Sequence, residues 1–287
     1  MAAVPIREYS FSFRDLELAV VEYGTPDGPP VLALHGWQDH AASFAVLAEL
    51  LPGLRWIAPD LPGHGRSDWR HPQASYSTWH YLEEMQALLE HLQLPQVILV
   101  GHSMGGGVAA LLAAALPARC SKLVLLDSVG PLATAPADAL KQLQEFLAQQ
   151  GKASLSRRRR HADFETAVAA RCARGLSVEA ARLLAERGVE RDGKGVYWRL
   201  DPRLSLRNPL SLTEEHARAM LGAIACPVLL ISAASNWTRL RAWFELRLPY
   251  FRQLEWLELG GSHHQHMEGE AAQVARLIAD FLGVDAP

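Results

Sequence analysis

The sequence predicts an α/β fold, with a mostly parallel central sheet, helices on both faces and an inserted helical lid. Three observations predict it. Five short, wholly apolar runs are spread along the chain, helical stretches lie between them, and a long strand-free stretch interrupts the alternation after Asp127.

The elements follow in order. Tyr9-Ser10-Phe11-Ser12-Phe13 and Leu16-Glu17-Leu18-Ala19-Val20-Val21 alternate polar and apolar residues around Arg14-Asp15, the period-two pattern of a hairpin. A turn-rich stretch, Gly24 to Pro30, ends it. Val31-Leu32-Ala33-Leu34, Trp56-Ile57-Ala58, Val97-Ile98-Leu99-Val100, Leu123-Val124-Leu125-Leu126 and Val228-Leu229-Leu230-Ile231 are then apolar on both faces, as strands inside a helix-covered parallel sheet must be. Helical stretches run from Ala41 to Leu51, Tyr76 to Leu92, Met104 to Ala115 and Ala271 to Leu282. From about Thr134 to Asn208 no strand-like run occurs, whereas Ala139 to Gln149, Phe164 to Cys172 and Val178 to Arg187 keep helical spacing. The expected division is therefore a core over residues 1–133, an all-helical lid over 134–209, and the rest of the core over 210–287.

Composition narrows the function classes. The 287 residues suit one large domain, and 49% hydrophobic with 21% charged residues is ordinary for a folded globular chain. A net charge of −3 gives no attraction to phosphate backbones, so nucleic acid is not an expected partner. No run approaches the roughly 18 apolar residues of a membrane span, and the first residues lack a secretory pattern, so stable membrane insertion is not expected and the location is read as cytoplasmic. Cys120, Cys172 and Cys226 form no C-x-x-C pair and read as small buried hydrophobes. Four lysines among 28 basic residues, beside much alanine, point to a GC-rich bacterial genome.

Gly101-His102-Ser103-Met104-Gly105 satisfies G-x-S-x-G between an apolar strand and an alanine-rich helix, the context that motif requires. There the glycines permit a turn too tight for side chains, which thrusts Ser103 Oγ outward at a helix N-terminus. The plainer alternative is a glycine-rich turn carrying an incidental serine. A hydroxyl needs a base. His263, directly after Gly260-Gly261-Ser262 at the end of a last strand, Leu257-Glu258-Leu259, is the candidate, and His266 the alternative. His263, His264, His266 and Glu268 also resemble a metal cluster, but no second ligand-rich segment accompanies them, so neither metal nor cofactor is expected.

With His35-Gly36-Trp37 after the first buried strand and Leu61-Pro62-Gly63-His64-Gly65-Arg66-Ser67-Asp68 after the second, the chain resembles the α/β-hydrolase superfamily over nearly its full length. Leu34 to Asp39, Leu125 to Ser128, Ala185-Glu186-Arg187-Gly188 and Ser262 to Met267 look most like the serine-hydrolase-like proteins. The resemblance implies an oxyanion hole from the backbone N–H groups of Trp37 and Met104, with His35 bracing its loop. It also implies an acid about five residues beyond Val228–Ile231, where this chain has Asn236 and no carboxylate nearby. Asp127, at the end of the preceding strand, is the alternative acid, with a loop-bracing role as its plainer reading.

The expected activity is hydrolysis of a carboxylic ester or thioester of a small to medium apolar acyl group by Ser103, His263 and Asp127. A non-catalytic binding protein with a degraded triad, or a carbon–carbon bond hydrolase or perhydrolase using the same serine, stays open. The expected partner is a small acyl substrate, and the oligomeric state is left open. Arg157 to Arg160 read as a solvated basic face, Asp39 and His64 as loop-fixing residues, and Trp37, Trp237, Trp243, Tyr197 and Trp198 as candidates for a pocket lining.

Overall fold

The computed structural model describes residues 2–153, 159–234 and 237–285. Its chain opens with the hairpin β1 (Arg7–Phe13) and β2 (Leu16–Gly24), paired antiparallel in full register from Arg7 opposite Glu22 to Phe13 opposite Leu16. β3 (Pro30–Leu34), β4 (Arg55–Pro59), β5 (Val97–His102), β6 (Cys120–Leu126), β10 (Val228–Ala233) and β11 (Leu254–Leu259) complete an eight-stranded sheet in the order β1-β2-β4-β3-β5-β6-β10-β11. Every pairing from β4 to β11 is parallel, and β2 joins β4 antiparallel.

Strand alternation sorts side chains to two cores. Leu32, Leu34 and Leu99 meet α2 (Thr78–His91) and α3 (Met104–Ala115) through Met85, Leu88 and Val108. Val31, Ala33 and Val100 meet α1 (Ala45–Leu50) and α9 (Ala271–Leu282) through Leu47, Val274 and Ile278 on the other face. Both faces are covered, which is why the central strands are apolar throughout. The stretch read as one helix from Ala41 begins as a 3₁₀ turn, Ala41–Phe44, where Asp60 Oδ1 accepts from Ala41 N–H and His40 Nδ1 from Ala42 N–H. Cys120 and Cys226 are buried with their sulfurs 3.4 Å apart, whereas Cys172 is half-buried, contrary to its reading as buried.

Residues 134–209 depart from the expected all-helical segment. α4 (Ala139–Ala153), α5 (Phe164–Cys172) and α6 (Val178–Gly188) are present, but β7 (Arg160–His161), β8 (Val189–Asp192) and β9 (Gly195–Trp198) pair as a small antiparallel sheet in the order β7-β9-β8. Strands of two to four residues with exposed charged side chains hold too few alternations for periodicity to register. The chain returns through α7 (Glu214–Ala223), capped by Thr213, and α8 (Trp237–Arg247), helices absent from the sequence reading.

This segment has its own small core, in which Val168, Ala181 and Leu184 pack with Met267. Polar contacts fasten it to the sheet domain. His40 Nε2–H donates to the Leu184 carbonyl at 2.9 Å, Tyr76 donates to Asp201 at 2.6 Å, and Arg187 reaches the buried Asp60 and, at 2.8 Å, Glu8. The Ala185-to-Gly188 stretch thus anchors the segment through one arginine. Among the described residues, no helix is long and apolar enough to cross a membrane.

Candidate active site

Parallel strands β5, β6, β10 and β11 deliver their carboxyl ends to one edge, where ligand sites of open α/β sheets form. Ser103 follows β5 at φ 50° and ψ −115°, in the left-handed half of the map that costs a non-glycine residue about 1–3 kcal/mol. What holds it there is the crossing of backbones around it. A Cβ on Gly105 would stand 2.0 Å from the Leu34 carbonyl oxygen, and one on Gly101 would stand 2.5 Å from that of Gly105. Ser103 N–H donates to the Leu126 carbonyl at 3.0 Å, tying the turn to the end of β6. The side chain is half-buried on the wall of a cavity of about 720 Å³.

Asp127 leaves β6 at φ 48° and is buried. Its backbone N–H donates to Ile231 at 2.7 Å and its Oδ1 accepts from Ala233 N–H at 2.8 Å, so β10 fixes the carboxylate. Its Oδ2 faces His263 Nδ1 in a short contact. A carboxylate accepts, so Nδ1 of a neutral His263 carries the proton and Nε2 is left as a lone pair. The His263 loop is brought back across β10 by Gln265, whose amide donates to the Ile231 carbonyl at 3.0 Å. His263 lines the same cavity as Ser103, with about a third of its side chain exposed. Among the described residues no hydrogen bond joins the Ser103 hydroxyl to an imidazole. Asn236 lies outside the described residues, as do Arg157 and Arg158.

His266, the alternative base, is fully buried against Phe44 and His102 and is not the ring at Asp127. Trp37 is 47% exposed on the cavity, next to Gln38 at φ 67°. Met104 begins α3, so its N–H has no intrahelical acceptor. His35 is buried, and its Nε2 accepts from Leu61 N–H at 2.9 Å, joining the two glycine-containing loops as expected. His64 donates from Nδ1 to the carbonyls of Leu61 and Pro62, and burial pushes its pKa down to about 3. Of the aromatic candidates, Trp37 and Trp198 line the cavity, Trp243 packs on Arg247, and Tyr197 bonds Glu190. The side chain of Trp237 lies outside what is described.

The sequence reading missed a polar layer beside the serine. His102, Asp39 and His264 line the cavity together, and Arg159, Arg171 and Arg174 stand on the side supplied by residues 134–209. Burial pushes the His102 pKa down to about 3, so the ring is neutral. Arg174 donates to Gln38 Oε1 at 2.7 Å. No periodicity marks such a cluster, because its members come from three loops.

A family model described as alpha/beta hydrolase fold matches residues 29–270. A serine hydrolase-like protein of Dictyostelium discoideum is 31% identical over 93% of this chain and 79% of its own. A serine hydrolase-like protein of Danio rerio is 29% identical, over 94% and 86%. Among solved structures, a hypothetical protein from Pseudomonas aeruginosa superposes with a TM-score of 0.89 at 40% identity, covering 97% of this chain and all of that one. A thioesterase domain from the curacin biosynthetic pathway gives 0.82 at 27% identity, covering 95% and 98%.

Proposed function

From the premise that the chain belongs to the α/β hydrolase family, we propose that it is a serine hydrolase acting on a carboxylic ester or thioester. The observation that carries the reading is the pairing of His263 Nδ1 with the buried Asp127 carboxylate on the cavity that the strained Ser103 also lines. Ser103 Oγ attacks the acyl carbonyl carbon while His263 Nε2 takes the hydroxyl proton, and Asp127 keeps the imidazole in the required tautomer. The carbonyl oxygen, now negative, sits against the N–H groups of Trp37 and Met104, each donor of this kind being worth about 2.7–4 kcal/mol of barrier. The imidazolium returns its proton to the departing alkoxide or thiolate. Water, deprotonated by the same nitrogen, then releases the acid and frees Ser103.

Residues 134–209 act as the lid. Trp37, Leu176, Trp198 and Leu200 on the cavity suit a small to medium apolar acyl group. Arg159 and Arg174 on the same wall favour a second reading of specificity, in which the substrate also carries an anionic end. A fluorophosphonate probe tests the enzyme. Stoichiometric labelling that disappears in Ser103→Ala is expected, and folded wild-type protein that takes no label overturns the reading in favour of a binding protein. A chain-length series of chromogenic esters, each with and without a terminal carboxylate, then reads out pocket size and any anion preference.

A further inference from the structure

Asp39 and His102 meet on the cavity wall and His264 joins them. His264 Nε2 lies 3.3 Å and His102 Nδ1 3.6 Å from Asp39 Oδ2, and one donor atom from each residue lies within 4.8 Å of the others. His102 Nε2 is 2.9 Å from the His263 carbonyl. A carbonyl only accepts, so Nε2 carries a proton, which leaves Nδ1 as the ring atom a metal ion would take. That nitrogen faces a carboxylate. Both atoms are buried, and neither has a hydrogen-bond partner among the described residues, an arrangement that costs free energy unless a cation lies between them. The gap is kept open by Gly36, where a Cβ would stand 2.6 Å from His102 Nδ1 and 3.0 Å from Asp39 Oδ2.

We propose that Asp39, His102 and His264 bind a divalent transition-metal ion, with zinc the best match, on the cavity wall beside Ser103 and His263. Two imidazole nitrogens and one carboxylate oxygen suit zinc better than calcium or magnesium, which take mainly oxygen ligands. Tetrahedral zinc bonds of about 2.0–2.1 Å set neighbouring donors about 3.3–3.4 Å apart, close to the separations found around Asp39 Oδ2. Three protein ligands leave the fourth position open to the cavity, as at zinc sites that exchange water or substrate. Arg171 Nη1, 3.9 Å from Asp39 Oδ1, repels the ion, so binding is weaker than at a closed structural site. Of the sequence cluster around His263, only His264 contributes. The missing second segment is supplied by the Asp39 loop and by the serine turn itself.

Titration of chelator-stripped protein with ZnCl₂ in a calorimeter, and with CoCl₂ in a visible spectrometer, tests the site. One equivalent of zinc per chain and tetrahedral cobalt bands are expected, with binding weakened at least about tenfold in Asp39→Asn and in His264→Gln. His264 is the less buried of the two, so His264→Gln keeps the test decisive if Asp39→Asn does not fold. No saturable binding by wild type, or unchanged binding by folded His264→Gln, overturns the proposal. Inhibition of ester hydrolysis by bound zinc, through occupation of the shared cavity, is a further expected result and rests on the serine-hydrolase reading. Fluorophosphonate labelling of the stripped protein separates the two: label without zinc binding removes the metal site alone, and zinc binding without label removes the hydrolase alone.

Discussion

Asp127 uses its two oxygens for different tasks, Oδ1 accepting from Ala233 N–H and Oδ2 facing His263 Nδ1. In Asp127→Asn the amide oxygen can keep the first contact only by turning its NH₂ toward His263. Nδ1 must then accept, the ring proton moves to Nε2, and the base is lost. We expect kcat to fall by about 10⁴, the size of this exchange in a serine-protease triad, while Asn236→Ala changes little. Steady-state kinetics on a chromogenic ester check this, and near-wild-type turnover in Asp127→Asn would remove the assignment. Ser103 and Asp127 could be named as candidates from sequence because each follows a strand whose apolar run is unmistakable, and His263 because it follows the glycine pair that ends the last strand. Asp39, His102 and His264 could not be grouped, since their meeting depends on how three loops fold over one edge.

At the scale of elements, α3 approaches β3 so closely that only a hydrogen fits on Gly105. Gly105→Ala places a methyl carbon inside the contact distance of a backbone carbonyl, and backbone cannot turn aside as a flexible side chain can. A loss of at least about 2–3 kcal/mol is expected by urea unfolding. Gly53→Ala, at a site with open space around it, is expected to stay within about 0.5 kcal/mol. Equal effects from the two would show that the close crossing is not what selects glycine. The central strands and α3 were legible because burial on both faces writes a continuous apolar signal. The small β7-β9-β8 sheet was not, because its strands are two to four residues long, too short for an alternation to register even though Val196 and Tyr197 of β9 are buried.

Across the whole molecule, buried neutral histidines couple stability to acid. Burial lowers the pKa of His35 and pushes that of His64 down to about 3, with the two rings 5.0 Å apart in the loops that flank the site. The unfolded chain takes up protons on these rings near their ordinary value of 6.5, while the native protein does not. Their contribution is therefore complete above pH 6.5 and drains away as pH falls toward the folded values. His64 alone is expected to remove about 2 kcal/mol between pH 7.5 and pH 5. Urea unfolding at the two pH values checks it, with His64→Asn, whose amide can still donate to the Leu61 carbonyl, expected to show a shallower dependence; equal slopes would contradict it. By itself the sequence determined the central apolar strands and placed a serine in a strand-to-helix turn, a candidate acid at the end of the following strand and a group of histidines after the last one, because strand burial and tight turns are local demands on residue type. Only the tertiary structure decided which histidine faces Asp127, where Arg187 fastens the inserted segment, and that Asp39, His102 and His264 share one wall, because those facts depend on distances between segments that no local pattern encodes.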